Sequence, residues 1–188
     1  MSRLVSALNS IIGYQKRLFL GVITALIMLP LHAWSSEATL QAAFVYNFIK
    51  FIDWPATEVS GSLRLCVLGA NSEMHEALDQ LNGKTANKKV IEIVYFSRAM
   101  PVATTIESCQ MVYQANRSTA ILPQTLPKGV VLVANEPDQK DLNVSIALLR
   151  NTEGRIEFSI NQSAISSSGV KMSSQLLKLA TSTRGGKG

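Results

Sequence analysis

Residues 42–55, AAFVYNFIKFIDWP, hold five of the chain's twelve aromatic residues and constrain its fold more than any other stretch. Leu40, Phe44, Phe48 and Phe51 recur at helical spacing, which predicts a helix over 38–54 with Pro55 as its stop. Val45, Ile49 and Ile52 widen the apolar face past half the circumference and leave Tyr46, Lys50 and Asp53 as a polar edge. Aromatics at this spacing read as a core wall, not as a cofactor platform. A helix this apolar must be covered on two sides. A sheet supplies one cover; the other requires a second element or a second subunit, and the latter predicts a homodimer, since symmetric pairs are the commonest oligomers. Asn47 falls on the apolar arc, where an unpaired amide costs about 1–3 kcal/mol, so it is expected to bond a strand end or a loop, the alternative being a contact with a partner.

The segments that follow alternate. SLRLCVLGA (62–70) reads as an apolar strand, and NSEMHEALDQLNG as a helix from a Ser72 cap to a Gly83 stop. KKVIEIVYF (88–96), CQMVYQA (109–115) and GVVLVAN (129–135) read as further strands, with a helical turn expected around Ile121–Leu126. Residues 144–161 predict a hairpin turning at Asn151–Gly154, and SSQLLKLAT (173–181) a last helix. The predicted fold class is therefore α/β: a single compact domain with a mostly parallel sheet, an antiparallel edge hairpin and flanking helices.

Residues 1–35 predict a secretory signal peptide and 36–188 the domain. Arg3, Lys16 and Arg17 are the only charges before Glu37, Leu18–Leu31 is free of charge, and Ala33 and Ser35 stand three and one residues before a cut near Ser36. A spanning helix needs about 20 apolar residues, and this core is shorter and broken by Pro30. An uncleaved anchor is the alternative. Cleavage removes three basic residues and no acid, so 18 basic and 13 acidic residues become 15 and 13, and the net charge falls from +5 to +2. The basic residues left are scattered among acids, which excludes a nucleic-acid footprint. The mature chain is expected in the periplasm with no membrane span. There, the two cysteines, Cys66 and Cys109, are expected to form a disulfide, the alternative being two buried free thiols. Such a bridge would tie the first strand to the third.

Motifs for catalysis are lacking. His75-Glu76 begins a zinc-protease pattern, but Asp79 stands where the second histidine belongs. GKT at 83–85 imitates the end of a phosphate loop, yet Leu78 replaces its first glycine and the run follows a helix. No GxSxG elbow occurs, and SAISSSG (163–169) reads as a cap or turn. We expect no enzyme, no catalytic residues, no metal and no cofactor.

AAFVYNFIKFIDWP resembles the opening signature of the YfiR family of periplasmic regulators, through Ala42, Ala43, Phe44, Tyr46, Asn47, Phe48, Lys50, Phe51, Trp54 and Pro55. LRLCVLGAN and CQMVYQA resemble the family's first and third strands. RIEFSINQSAISSSGVKMSSQLLKLA is similar to its closing motif through Ile156, Phe158, Asn161, Ala164, Gly169, Leu176 and Leu177. The resemblance implies a compact α/β domain without enzymatic activity. It would bind the periplasmic domain of an inner-membrane diguanylate cyclase, or in other members act with a sensor kinase, and restrain it, which controls cyclic-di-GMP and biofilm formation. The second cysteine pair of some members is missing, with Ser145 and Thr152 in its region, and DLNVSIAL replaces a glycine-rich approach to the hairpin. The expected partner surface is the hairpin-to-last-helix region around Asn161, Ile165, Gly169 and Val170; the alternative is that Ile165 and Val170 close the core. A periplasmic small-molecule-binding protein is the second reading of the whole chain, and it requires a pocket lined by convergent polar groups.

Overall fold

The computed structural model describes residues 36–54, 61–96, 105–116, 122–123, 125–138 and 141–184. The predicted signal segment, and Ile121 and Gln124 of the predicted helical turn, lie outside these residues; Leu122, Pro123 and Leu126 are not helical.

The aromatic segment forms helix α1 (Glu37–Phe51), capped by Ser36, whose Oγ accepts the Thr39 N–H at 3.2 Å. Glu37 in its first turn and Lys50 in its last both suit the helix dipole. The helix stops before the predicted residue 54, because Ile52 turns extended (φ −104°, ψ 129°). Ile52–Asp53 becomes a short strand, β1, paired antiparallel with β9 (Lys171–Met172). The carbonyls left at this end are taken up by neighbours: Phe51 O accepts the Ser173 N–H at 3.0 Å and Ile52 O accepts Asn87 Nδ2 at 2.9 Å.

The remaining strands build one eight-stranded sheet in the order β10-β8-β7-β6-β5-β2-β4-β3. Strands β2 (Ser62–Leu68), β4 (Lys89–Tyr95), β5 (Met111–Gln114), β6 (Val131–Asn135) and β7 (Ile146–Arg150) run parallel. Strand β8 (Ile156–Asn161) returns antiparallel against β7 as the predicted hairpin. It is not the edge that the sequence suggests. After helix α4 (Ser174–Leu179) the chain comes back as β10 (Ser182–Arg184), parallel to β8. At the other edge β3 (Thr85–Ala86) pairs with β4 across a turn in which Asn87 and Lys88 both have positive φ, the geometry of a tight hairpin turn.

Two further helices depart from the sequence reading. Helix α2 (Ser72–Asp79) is capped by Asn71, not Ser72: Asn71 Oδ1 accepts the Met74 N–H at 2.9 Å. The serine-rich stretch read as a cap or turn is a helix, α3 (Gln162–Ser168). Serine is a weak helix former, but Asn161 caps the start, Ile165 is held in the core, and Gly169 (φ +74°) ends the helix in the left-handed conformation.

The sheet's two faces are covered differently. On the inner face Leu63, Leu65 and Val67, Met111 and Tyr113, Val131 and Val133, and Ile146 and Leu148 meet Val45, Phe48 and Ile49 of α1, Met74 and Leu78 of α2, and Leu176 of α4. Phe48 lies edge-on to Phe158 of β8 at 5.1 Å between ring centroids, and Phe44 packs against the same ring at 5.9 Å. Helices α2 and α4 of the same chain flank α1, so its burial needs no second subunit. What remains outside is a stripe of Thr39, Leu40, Ala43, Asn47 and Lys50. Asn47 is therefore solvated on this stripe, contrary to the bonding expected of it, because the helix is turned so that its 3.6-residue period carries 39, 43, 47 and 50 outward together. On the outer face Cys66, Leu68, Val112, Leu132, Ala134 and Ala147 form a second apolar cluster with Ile106, Cys109, Val130 and Val144. Within it Cys66 and Cys109 are joined by a disulfide, with Cα atoms 5.9 Å apart. Strand β2 lies directly beside β5, so the bridge ties neighbours, as expected.

Two outcomes test this packing. Phe48→Ala should destabilise the domain by about 3–5 kcal/mol, whereas Lys50→Ala on the outer stripe should stay within about 0.5 kcal/mol, both read from urea midpoints. Replacing both cysteines by serine, which opens a loop with a sequence separation of 43, should cost about 4 kcal/mol by loop-closure entropy; the wild-type midpoint should fall comparably under reductant.

Candidate docking site

The β7–β8 hairpin presents its inner side chains, Ile146, Leu148, Phe158 and Ile160, to the helical core. Strand alternation therefore sends Ala147, Leu149, Ser159 and Asn161 to the opposite face. The hairpin is held rigid at its tip: Asn151 Oδ1 accepts the N–H groups of Glu153 and Arg155 at 3.0 and 2.9 Å, and Gly154 takes φ +79°. At its base, Asn161 does two things. Its Oδ1 accepts the Ala164 N–H at 3.2 Å and starts α3, and its Nδ2 donates to the Leu142 carbonyl at 3.0 Å. One side chain thus clamps the β6–β7 connection to the start of α3.

Between this connection and the hairpin's outer face lies a groove of about 350 Å³. Val144, Ala147, Leu149 and Ser159 line it, as do Asp138 and Asp141, the latter accepting the Asn143 N–H through Oδ1 at 3.0 Å. Leu142, 79% exposed, also lines the groove. The groove is mostly apolar with a rim of two carboxylates, which fits an apolar side chain flanked by positive charge.

The four residues expected at the partner surface divide here. Asn161 lines the groove and organises it. Gly169 is exposed at the end of α3. Ile165 (8% exposed) and Val170 (5%) are buried in the inner core, which corrects the expectation that they are exposed and matches the alternative that they close the core: Ile165 sits on the buried side of α3, and Val170 follows its Gly169 cap. They support the region from beneath. Leu142, Ala147 and Leu149 were not singled out by the sequence. For Leu142 the signal is a lone leucine in the polar run PDQKDLN; for the other two, the alternation of VSIALL.

The His75 ring stacks on Tyr95 at 3.8 Å, and the Tyr95 hydroxyl donates to Asp79 Oδ1 at 2.7 Å. Burial, the Asp79 hydrogen bond and its negative charge all push the Tyr95 hydroxyl above its ordinary pKa. Among the described residues no group of three or more His, Cys, Asp or Glu is placed to hold a metal, and no helix is long and apolar enough to cross a membrane.

A comparison with curated proteins gave no match. The family model described as YfiR/HmsC-like matches residues 38–181, from the first turn of α1 to the residue before β10, and so spans both apolar clusters, the disulfide and the groove. The chain belongs to the YfiR/HmsC-like family.

Proposed function

We propose that this chain is a periplasmic, non-enzymatic regulator that binds the periplasmic domain of an inner-membrane signalling protein, a diguanylate cyclase, and restrains it. Membership of the YfiR/HmsC-like family supports the regulatory reading. The observation that carries the docking reading is the groove beside Asn161, where an almost fully exposed leucine sits over an apolar, acid-rimmed surface on a rigid hairpin.

An exported binder reaches a cytoplasmic reaction only by favouring one conformation of a spanning protein, and its effect is bounded by its differential affinity for the two. A tenfold bias corresponds to about 1.4 kcal/mol. Burying one leucine is worth about 1.5–3 kcal/mol, which matches such a bias where the leucine is buried against one conformation of the partner and not the other. With the enzyme reading set aside, the residues that matter are those that shape the surface: Leu142, Ala147, Leu149 and Asn161.

Site-specific photocrosslinking in the periplasm tests the proposal. A photoreactive residue at 142 should trap an integral membrane protein bearing a cyclase domain, and Leu142→Asp should lower its co-purification at least about tenfold while leaving the thermal melt unchanged, since the side chain touches solvent. A photoreactive residue at 50, on the far face of α1, should trap none. Equal trapping from both positions would remove the groove as the docking surface; capture of a sensor kinase in place of a cyclase would change the partner and keep the surface.

A further inference from the structure

A second cavity, of about 250 Å³, opens at the carboxyl ends of β2, β5 and β6. Its place in the topology is informative. From β2 the chain passes through α2 to β4 on one side, while β5 lies on the other side of β2 and leads away to β6. The crevice between β2 and β5 is therefore the point where the direction of winding reverses, and in open parallel sheets ligands bind at such points.

The walls are polar, and among the described residues none that lines them is basic: Glu37 and Gln41 come from α1, Asn71 and Glu73 from the start of α2, and Asn116 and Asn135 from the ends of β5 and β6. Gln41 is 3% exposed. Its Oε1 accepts the Tyr113 hydroxyl at 2.7 Å, and its Nε2 donates to Glu37 Oε1 at 3.0 Å. A primary amide carries two N–H donors, so one donor of a nearly fully buried side chain has no partner among the described residues. Asn116 and Glu73 likewise have no hydrogen-bond or ion-pair partner among them. Asn116 Oδ1 lies only 2.1 Å from where a Cβ on residue 69 would stand, so Gly69 (φ +68°) is what lets this amide fold over the end of β2. The two carboxylates are not equivalent. Glu37 is ion-paired with Arg150, whose Nε also lies 3.9 Å from Glu136; Glu73 has no such cation among the described residues. Its position in the first turn of α2 suits the helix dipole, but that accounts neither for the cavity nor for the idle amide of Gln41.

We propose that this crevice binds a small polyhydroxylated amine, of the size and chemistry of an amino sugar. The ammonium group sits beside Glu73, hydroxyl groups donate to and accept from Asn71, Asn116 and Asn135, and the free N–H of Gln41 donates to a hydroxyl oxygen at the back. The site is distinct from the docking groove, and its test does not depend on a membrane partner.

The experiment is isothermal titration of the protein, purified from cells as exported, with D-glucosamine, D-glucose (hydroxyls without ammonium) and putrescine (ammonium without hydroxyls). Glucosamine should bind saturably at one site per chain and at least about tenfold more tightly than either comparator. Glu73→Gln and Asn116→Ala should each weaken it about tenfold, and Leu142→Asp should leave it unchanged; unaltered thermal melts establish that the variants are folded. Absence of saturable binding by glucosamine, glucose binding as tightly as glucosamine, or full affinity in folded Glu73→Gln protein would each overturn the proposal.

Discussion

The contact on which the rest of the domain depends is the packing of α1 onto the inner face of the sheet. Phe48 and Ile49 are essentially without solvent exposure, and the edge-on pair of Phe48 with Phe158 joins the first helix to the last long strand. Burial of one such aromatic is among the largest single contributions a core residue makes. This contact brings together chain ends more than a hundred residues apart, and so it positions the hairpin, α3 and α4 relative to the parallel strands. A polar link, buried at its inner end, follows the same path: the Tyr113 hydroxyl on β5 donates to Gln41 on α1, and Gln41 donates to Glu37, which meets Arg150 at the end of β7 near the surface. Burial, and then the negative charge of Glu37, raise the pKa of that hydroxyl, which keeps it a donor across the physiological range.

Because helices α1 to α4 all contribute to the cluster on the inner face, the outer face is closed largely by other segments. Around β2, β5 and β6 the disulfide and the segments carrying Ile106, Leu122 and Leu126 do so. Towards β7 and β8 that cover thins. The β6–β7 connection, clamped by Asn161, leaves a groove there. The groove thus lies where the outer face is least covered, and the polar crevice where the winding reverses. One asymmetric sheet supplies both.

Much of the architecture is legible in the residues. The parallel strands announce themselves as apolar runs such as LRLCVL, buried on both faces; the hairpin tip is marked by Asn151 and Gly154; the two cysteines suit an oxidising compartment and are bridged. Less legible is α3. Its four serines argue against a helix locally, and only the burial of Ile165 together with the Asn161 and Gly169 caps overrides them. The same holds for Ile165 and Val170, whose exposure depends on which side of β8 the chain folds back.

What the sequence by itself determined is therefore the class of fold, the disulfide pair and the position of the apolar helix, since these follow from local periodicity and residue chemistry. Only the tertiary structure decided that α2 and α4 cover the second side of α1, that Asn47 faces water, and that Leu142, Ala147, Leu149 and Asn161 share one groove. Those outcomes depend on the register between elements distant in the chain, and a one-residue turn of a helix or a change in the face a strand presents would reverse each of them without altering a single local preference.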